Sequence, residues 1–277
     1  MQKIAILTPT RDGLVDINYT NSLLATQKLL AGEWEVEPTL VSGTSDITSA
    51  RNTLFNLWYY TTDVDVVMFI DSDVSWNPRD LKRWLDKGYY QCSGNYPKKA
   101  FTPEAFLRAA HLLQQQEGEI DIKKALRASW DYISTGRHNV IASGDYEGLM
   151  TTEGVGMGFF MMHRDAADIL MDWAEANMTK TVFYTLNEEK PAEGYAVFNH
   201  VQDEEGKNYG EDFSFCRRMT EAGLTILLDP KVTLRHTGNV AFDGEFQCLV
   251  DVMKLAKESG SPELGNNFLT AEPPAKA

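Results

Sequence analysis

Between Val64 and Ile70 the chain reads Val-Asp-Val-Val-Met-Phe-Ile and then stops abruptly at Asp71-Ser72-Asp73. An apolar run of that length ending in turn-forming acids is a strand buried on both faces, and such a strand needs helices above and below it. The amino-terminal half supplies them. The pattern predicts strands over residues 3–8 and 34–41, a helix over 19–31 closed by Gly32, and a helix through Tyr60 capped by Asp46 or Thr48. Pro78 opens a further helix that continues through residues 81–87 and ends at Gly88, and residues 89–94 return as a fourth strand. Alternation of this kind predicts an α/β fold with a central, mostly parallel sheet and flanking helices. Its ligands bind beyond the carboxyl ends of the strands.

The second half is less regular. Residues 101–137 read as a helical insertion over the sheet, with Gln114, Gln115, Gln116 and Glu117 on a polar face and Leu107, Leu112 and Leu113 on an apolar one. Gly154-Val155-Gly156-Met157-Gly158-Phe159-Phe160-Met161 reads as a glycine-spaced strand, where missing side chains let a ligand or another backbone approach. Its spacing differs from a dinucleotide fingerprint and no acidic ribose partner follows. A helix over 165–176, a polar, loop-rich stretch over 180–207, a helix over 211–222 closed by Gly223, and strands over 224–229 and 232–234 lead to His236. The organisation expected is one domain over residues 1–257 with its insertion at about 101–137, and a mobile tail over 258–277 rich in Gly, Ser, Pro and Ala. The first residues show no signal-peptide pattern and no apolar run reaches the roughly 18 residues that cross a bilayer. With three unpatterned cysteines, Cys92, Cys216 and Cys248, a reducing cytoplasm is the expected location.

Chemistry gathers at the predicted strand ends. Thr8-Pro9-Thr10-Arg11-Asp12 follows the first strand, Asp71-Ser72-Asp73 the third, and Asn95-Tyr96-Pro97-Lys98-Lys99 the fourth. A turn at Ser72 lets the two carboxylates converge, and converging carboxylates repel unless a cation lies between them; a divalent ion that also bridges substrate phosphates meets that need. Taken alone, the same residues are an ordinary capped strand end. The net charge of −14 disfavours a large non-specific nucleic-acid footprint, and six Trp, eleven Tyr and thirteen Phe leave aromatic surface for bases and sugars beyond what the core takes.

Five segments in order carry a family resemblance: Thr8-Pro9-Thr10-Arg11, Ser49-Ala50-Arg51-Asn52, Asp71-Ser72-Asp73, Gly154 to Phe159, and Gly210-Glu211-Asp212-Phe213 followed by Asp229-Pro230 and His236. Together they resemble the GT-A-fold glycosyltransferases, especially virus-associated and bacterial members with similar Asn-Tyr-Pro-Lys-Lys and Tyr-Gly-Glu-Asp-Phe-Ser-Phe-Cys segments, over roughly residues 3–246. The resemblance implies a GT-A (Rossmann-like) sheet and transfer of a sugar from a nucleotide-sugar donor to a hydroxyl acceptor with Mn²⁺ or Mg²⁺. It implies a metal site of Asp71, Asp73 and His236, with Asp73 in direct contact, Asp71 nearer the ribose or a metal-bound water, and His236 a further ligand. It places Thr8, Pro9, Arg11, Arg51, Asn52, Asp71 and Ser72 on the donor, and Lys98 and Lys99 on its diphosphate. Asp212, with Glu211 second, becomes the general base in an inverting enzyme and an acceptor-orienting group in a retaining one. Without the resemblance, Arg51 reads as a surface ion-pair partner, Lys98 and Lys99 as a solvated pair, His236 as a strand-end histidine and Glu211-Asp212 as helix-terminus acids.

The acceptor implied is a saccharide, glycolipid head group or protein. A hydroxymethylated base in DNA is the alternative, in the cytoplasm of a virus-infected bacterial cell, kept open by Lys98, Lys99, Lys123, Lys124, Arg127 and Arg137. A nucleotidyltransferase also uses acidic strand ends and a divalent ion, but Thr8-Pro9-Thr10-Arg11-Asp12-Gly13 has little glycine for its phosphate loop.

Overall fold

The computed structural model describes residues 1–41, 46–183, 192–238 and 241–258. The predicted tail over 258–277 lies, after Glu258, outside the described residues. The central sheet has eight strands in the order Trp34–Val41, Gln2–Pro9, Val66–Ile70, Phe159–His163, Gln91–Gly94, Ile226–Asp229, Met150–Thr152 and Asn139–Val140. The predicted mostly parallel sheet is corrected to a mixed one. Neighbours pair in parallel at three junctions and antiparallel at four. The cause is Phe159–His163, which inserts antiparallel between Val66–Ile70 and Gln91–Gly94.

The strand pleat divides the core into two layers. Leu7, Val67, Phe69, Phe160 and Met162 face one side, where they meet Phe55 and Trp58 of helix Ile47–Thr61 and Phe215 of helix Glu211–Glu221. Ile4, Ile6, Met68, Ile70, Phe159 and Met161 face the other, against Tyr19 of helix Ile17–Leu30 and Trp84 of helix Pro78–Lys87. Successive residues alternate between the layers because side chains alternate across a strand. The local signals for these helices are explicit. Asp46 accepts from the Thr48 and Ser49 amides, Asn77 from Arg79, and Gly88 closes its helix in the left-handed region at φ 62°.

The insertion holds two helices, Pro103–Glu117 and Ile122–Ala128, rather than helix to residue 137. Trp130–Tyr132 turns back as a strand against Pro97–Phe101. Leu112 and Leu113 are buried as expected, but Leu107 is 66% exposed. The insertion packs on a helix absent from the sequence reading, Phe246–Glu258, through Ala109, Leu113, Ala125, Cys248 and Val252. The glycine-spaced segment is a short strand, Gly154–Val155, then a break, then Phe159–His163. No helix among the described residues is long and apolar enough to cross a membrane.

Two long-range pairings shape the rim. Val74–Trp76, directly after the acidic turn, pairs antiparallel with Thr233–Thr237, and the Thr237 amide donates to the Asp73 carbonyl at 2.8 Å. Asn52 and Asn56, one helical turn apart, hold the segment over residues 195–199. The Asn52 side chain accepts from the Phe198 amide at 2.9 Å and donates to Asn199 at 3.0 Å, and Asn56 exchanges hydrogen bonds with both backbone groups of Tyr195.

Candidate functional site

The acidic turn forms at Ser72, with the Val74 amide donating to the Asp71 carbonyl at 3.0 Å. The two carboxylates then take different partners. Asp71 turns inward, accepting from Arg51 Nη2 at 2.8 Å, with the Tyr96 hydroxyl 3.4 Å from its second oxygen. Asp73 turns to the rim, where Lys99 Nζ and His236 reach its two oxygens.

His236 is placed by register. Opposite Val74 in the ladder, it stands with Nε2 3.3 Å from Asp73 Oδ1 and Nδ1 2.8 Å from the Pro97 carbonyl. A carbonyl only accepts, so Nδ1 carries the proton in that bond and Nε2 is the nitrogen that faces Asp73: with a proton it donates to the carboxylate, and without one it offers a lone pair to a cation. Burial opposes the Asp73 charge, but hydrogen bonds from His236 and Lys99 outweigh it and hold the carboxyl below its ordinary range.

Arg51 is the centre of the inner layer. Only 2% exposed, it donates Nη1 to Glu211 Oε1 at 2.7 Å and to Asp212 Oδ1, and Nη2 to Asp71. Burial disfavours the guanidinium charge, yet Asp212 and Asp71 more than compensate and its pKa is raised. Three carboxylates share this one cation, while Arg51 Nε has no hydrogen-bond partner among the described residues. Burial, against the pull of Arg51, pushes the Asp212 carboxyl up to about 7, with Glu211 and Asp71 adding to the rise. An aspartate so poised exchanges protons near neutrality.

The glycines of the 154–158 segment make room for the protein's own side chains. A Cβ on Gly158 would lie 2.5 Å from Asp71 Oδ2 and 2.6 Å from the Tyr96 hydroxyl, and one on Gly156 also 2.6 Å from that hydroxyl. The Gly158 amide donates to Tyr96 at 3.0 Å. Tyr96, which the sequence reading left without a role, is thus fully enclosed, and burial followed by the nearby Asp71 charge raises its phenol well above the ordinary value. Its one sequence signal was its place in the polar rim segment after the fourth strand.

The other candidate residues scatter. Thr8 is buried with its hydroxyl 2.6 Å from Tyr19, Pro9 is buried, and Arg11 is exposed. Asn52 serves the 195–199 segment. Ser72 accepts the Asp16 amide on its carbonyl, and Lys98 pairs with Asp131 at 2.8 Å, leaving Lys99 as the lysine on the acidic turn.

Among the described residues no group of three or more His, Cys, Asp or Glu side chains converges as a metal cage. Asp73 and His236 nonetheless fit a divalent ion as a pair: one carboxylate, one imidazole with its tautomer set by a backbone carbonyl, the remaining positions open to ligand oxygens. Asp71 is committed to Arg51 and Tyr96.

No family model matches the sequence, and no curated protein matches it. Among solved structures, A197 from STIV matches at 13% identity over 86% of this chain and 86% of its own, with TM-score 0.45. The catalytic domain of Drosophila β1,4-galactosyltransferase 7, in complex with xylobiose, matches at 12% identity over 88% and 71%, with TM-score 0.38. A UTP-bound UGPase from Acinetobacter baumannii matches at 9% identity over 96% of each chain, with TM-score 0.36. These likenesses are remote, and the chemistry of this chain rests on its own residues.

Proposed function

We propose that this chain is a metal-dependent glycosyltransferase that moves a sugar from a nucleotide-sugar donor to a hydroxyl acceptor, with residues 1–257 as one catalytic domain. The observation that carries the reading is the meeting of Asp73 and His236, Nε2 to Oδ1 at 3.3 Å, built by the pairing of Val74–Trp76 with Thr233–Thr237. A carboxylate and a preset imidazole from distant parts of the chain, at the rim of an α/β sheet, form a half-shell for Mn²⁺ or Mg²⁺.

Asp73 and His236 would hold the ion, which would supply charge neutralisation for a departing nucleoside diphosphate. The chain's own residues do the rest. Lys99, exposed and paired with Asp73, supplies a positive charge for the diphosphate. Asp212, held at the start of its helix by Arg51, takes the proton from the acceptor hydroxyl. Arg51 and Tyr96 keep Asp71 oriented between them, and Glu211 completes the Arg51 cluster. Thr8, Pro9, Arg11, Ser72 and Lys98 remain donor-side candidates by their place near the strand ends, and Asn52 by its place next to Arg51 in helix Ile47–Thr61.

The test is incubation with Mn²⁺ and UDP-, GDP- and dTDP-sugars, with saccharides or hydroxymethylated DNA as acceptors, followed by nucleotide chromatography. Metal-dependent release of nucleoside diphosphate, lost in Asp73→Ala, supports the proposal. Release of pyrophosphate instead makes the enzyme a nucleotidyltransferase. Transfer to hydroxymethylated DNA alone assigns the alternative acceptor.

A further inference from the structure

On the flank of helix Glu211–Glu221 lies a cavity of about 290 Å³. Thr135, Glu153, Lys207, Tyr209, Phe213 and Arg217 are among the residues that line it. Its position follows from sequence order. Phe213, Arg217 and Thr220 carry the cavity on one face of the helix, and Asp212, one residue before Phe213, stands about 100° round the helix from that face. Neighbouring Cα atoms are about 3.8 Å apart, so the wall at Phe213 begins one residue from Asp212. The glycine-spaced segment joins the two regions from the other side, with Glu153 at the cavity, Gly154 giving space to Phe213 (an added Cβ would meet its ring at 2.7 Å) and Gly158 against Asp71.

Size and charge define what fits. At about 290 Å³ the cavity is at the lower end for ligand sites, with room for one ring and not for a nucleotide sugar. Glu153 and Lys207, both exposed, bring opposite charges to its mouth. The Lys207 ammonium stands 4.9 Å from the Tyr209 ring centroid and the Arg217 guanidinium 5.4 Å from it. Arg217 is also anchored by Glu221 at 3.1 Å, and the Tyr209 hydroxyl by Asp203 at 2.9 Å. Such a wall offers strong donors, a strong acceptor and aromatic edges, with too little net charge for an anion or a cation. A neutral polyhydroxylated ring satisfies all of them, because each hydroxyl both donates and accepts.

We propose that this cavity is a saccharide subsite, which seats a neutral sugar ring of the acceptor on the helix that carries Asp212. The proposal deepens the glycosyltransferase reading and rests on it for the word acceptor; sugar binding itself does not. The probes are D-glucose, D-galactose, D-mannose and N-acetyl-D-glucosamine, with binding followed by saturation-transfer NMR and titration on the full chain. At least one sugar is expected to bind, with affinity reduced at least tenfold in Glu153→Ala and in Lys207→Ala. Both side chains are outside the core, so melting temperatures within about 2 °C of the parent are expected. Asp73→Ala is expected to keep sugar binding while losing any donor cleavage, because the cavity is separate from the Asp73–His236 pair. The proposal is overturned if none of the sugars binds at about 10 mM, if both cavity variants bind as the parent does, if Asp73→Ala abolishes binding, or if inorganic phosphate displaces the sugar. Failure of the glycosyltransferase reading looks different: sugar binding persists while no nucleotide sugar is cleaved.

Discussion

Replacing Arg51 with Met removes the one cation shared by Asp71, Glu211 and Asp212 while keeping most of the side-chain volume. Breaking a buried ion pair by removing one partner costs roughly 3–5 kcal/mol, because the remaining charge is left buried without compensation. For a chain of this size 1 kcal/mol moves the melting temperature by about 2–4 °C, so a drop of about 10 °C is expected. The pH dependence identifies the cause. Burial raises the Asp212 carboxyl to about 7 even with Arg51 in place, so its contribution to stability is present at low pH and is lost as pH rises through that value. Without Arg51 the rise is larger and the loss continues to higher pH. Arg51→Met should therefore lie closest to the parent near pH 5 and furthest from it near pH 8 in thermal melts followed by circular dichroism. Arg51→Lys, which keeps the charge but not the fork that reaches three carboxylates, should fall between. A melting temperature within 2 °C of the parent at pH 8, or a larger deficit at pH 5 than at pH 8, would refute the assignment of Arg51 as the buried counter-charge.

Gly158→Ala places a methyl group 2.5 Å from Asp71 Oδ2 and against Tyr96, so overpacking of about 1–3 kcal/mol and a fall in transfer rate of at least tenfold are expected from melts and initial rates. Tyr96→Phe leaves the Gly158 amide without its acceptor, and a loss of about 1–3 kcal/mol should show in urea denaturation. His236→Ala removes the imidazole that faces Asp73; Mn²⁺ affinity should fall at least tenfold by electron paramagnetic resonance, while loss of the hydrogen bond to Pro97 lowers the metal-free melting temperature by about 2–4 °C.

What the sequence disclosed was local. Val66–Ile70, the cap at Asp46, the helix start at Pro78 and the stop at Gly88 are set by neighbours a few residues away, and local pattern exposes them. Phe159–His163 was legible as a strand, but not its antiparallel insertion, because an apolar run buried on both faces has no mark of direction. The helix Phe246–Glu258 escaped notice, and its burial against the insertion is a contact between segments far apart in sequence. The same limit governs the site. Asp71, Asp73, Arg51, Asp212 and His236 were all singled out as residues. Their division into an inner cluster on Arg51 and an outer pair on Asp73 depends on side-chain direction, which spacing does not encode. Tyr96 lay in a segment already marked for its chemistry, yet only the glycines at 156 and 158 explain the space its ring occupies.

The most direct test of the central claim is calorimetric titration of a nucleoside diphosphate into the chain, with and without Mn²⁺, for the parent, Asp73→Ala and His236→Ala. UDP, GDP and dTDP serve as the ligands. Binding of at least one that requires the metal, weakened at least tenfold by either substitution, is the expected result. Binding that is equally tight without metal, or unchanged in both variants, would contradict a donor site built on Asp73 and His236.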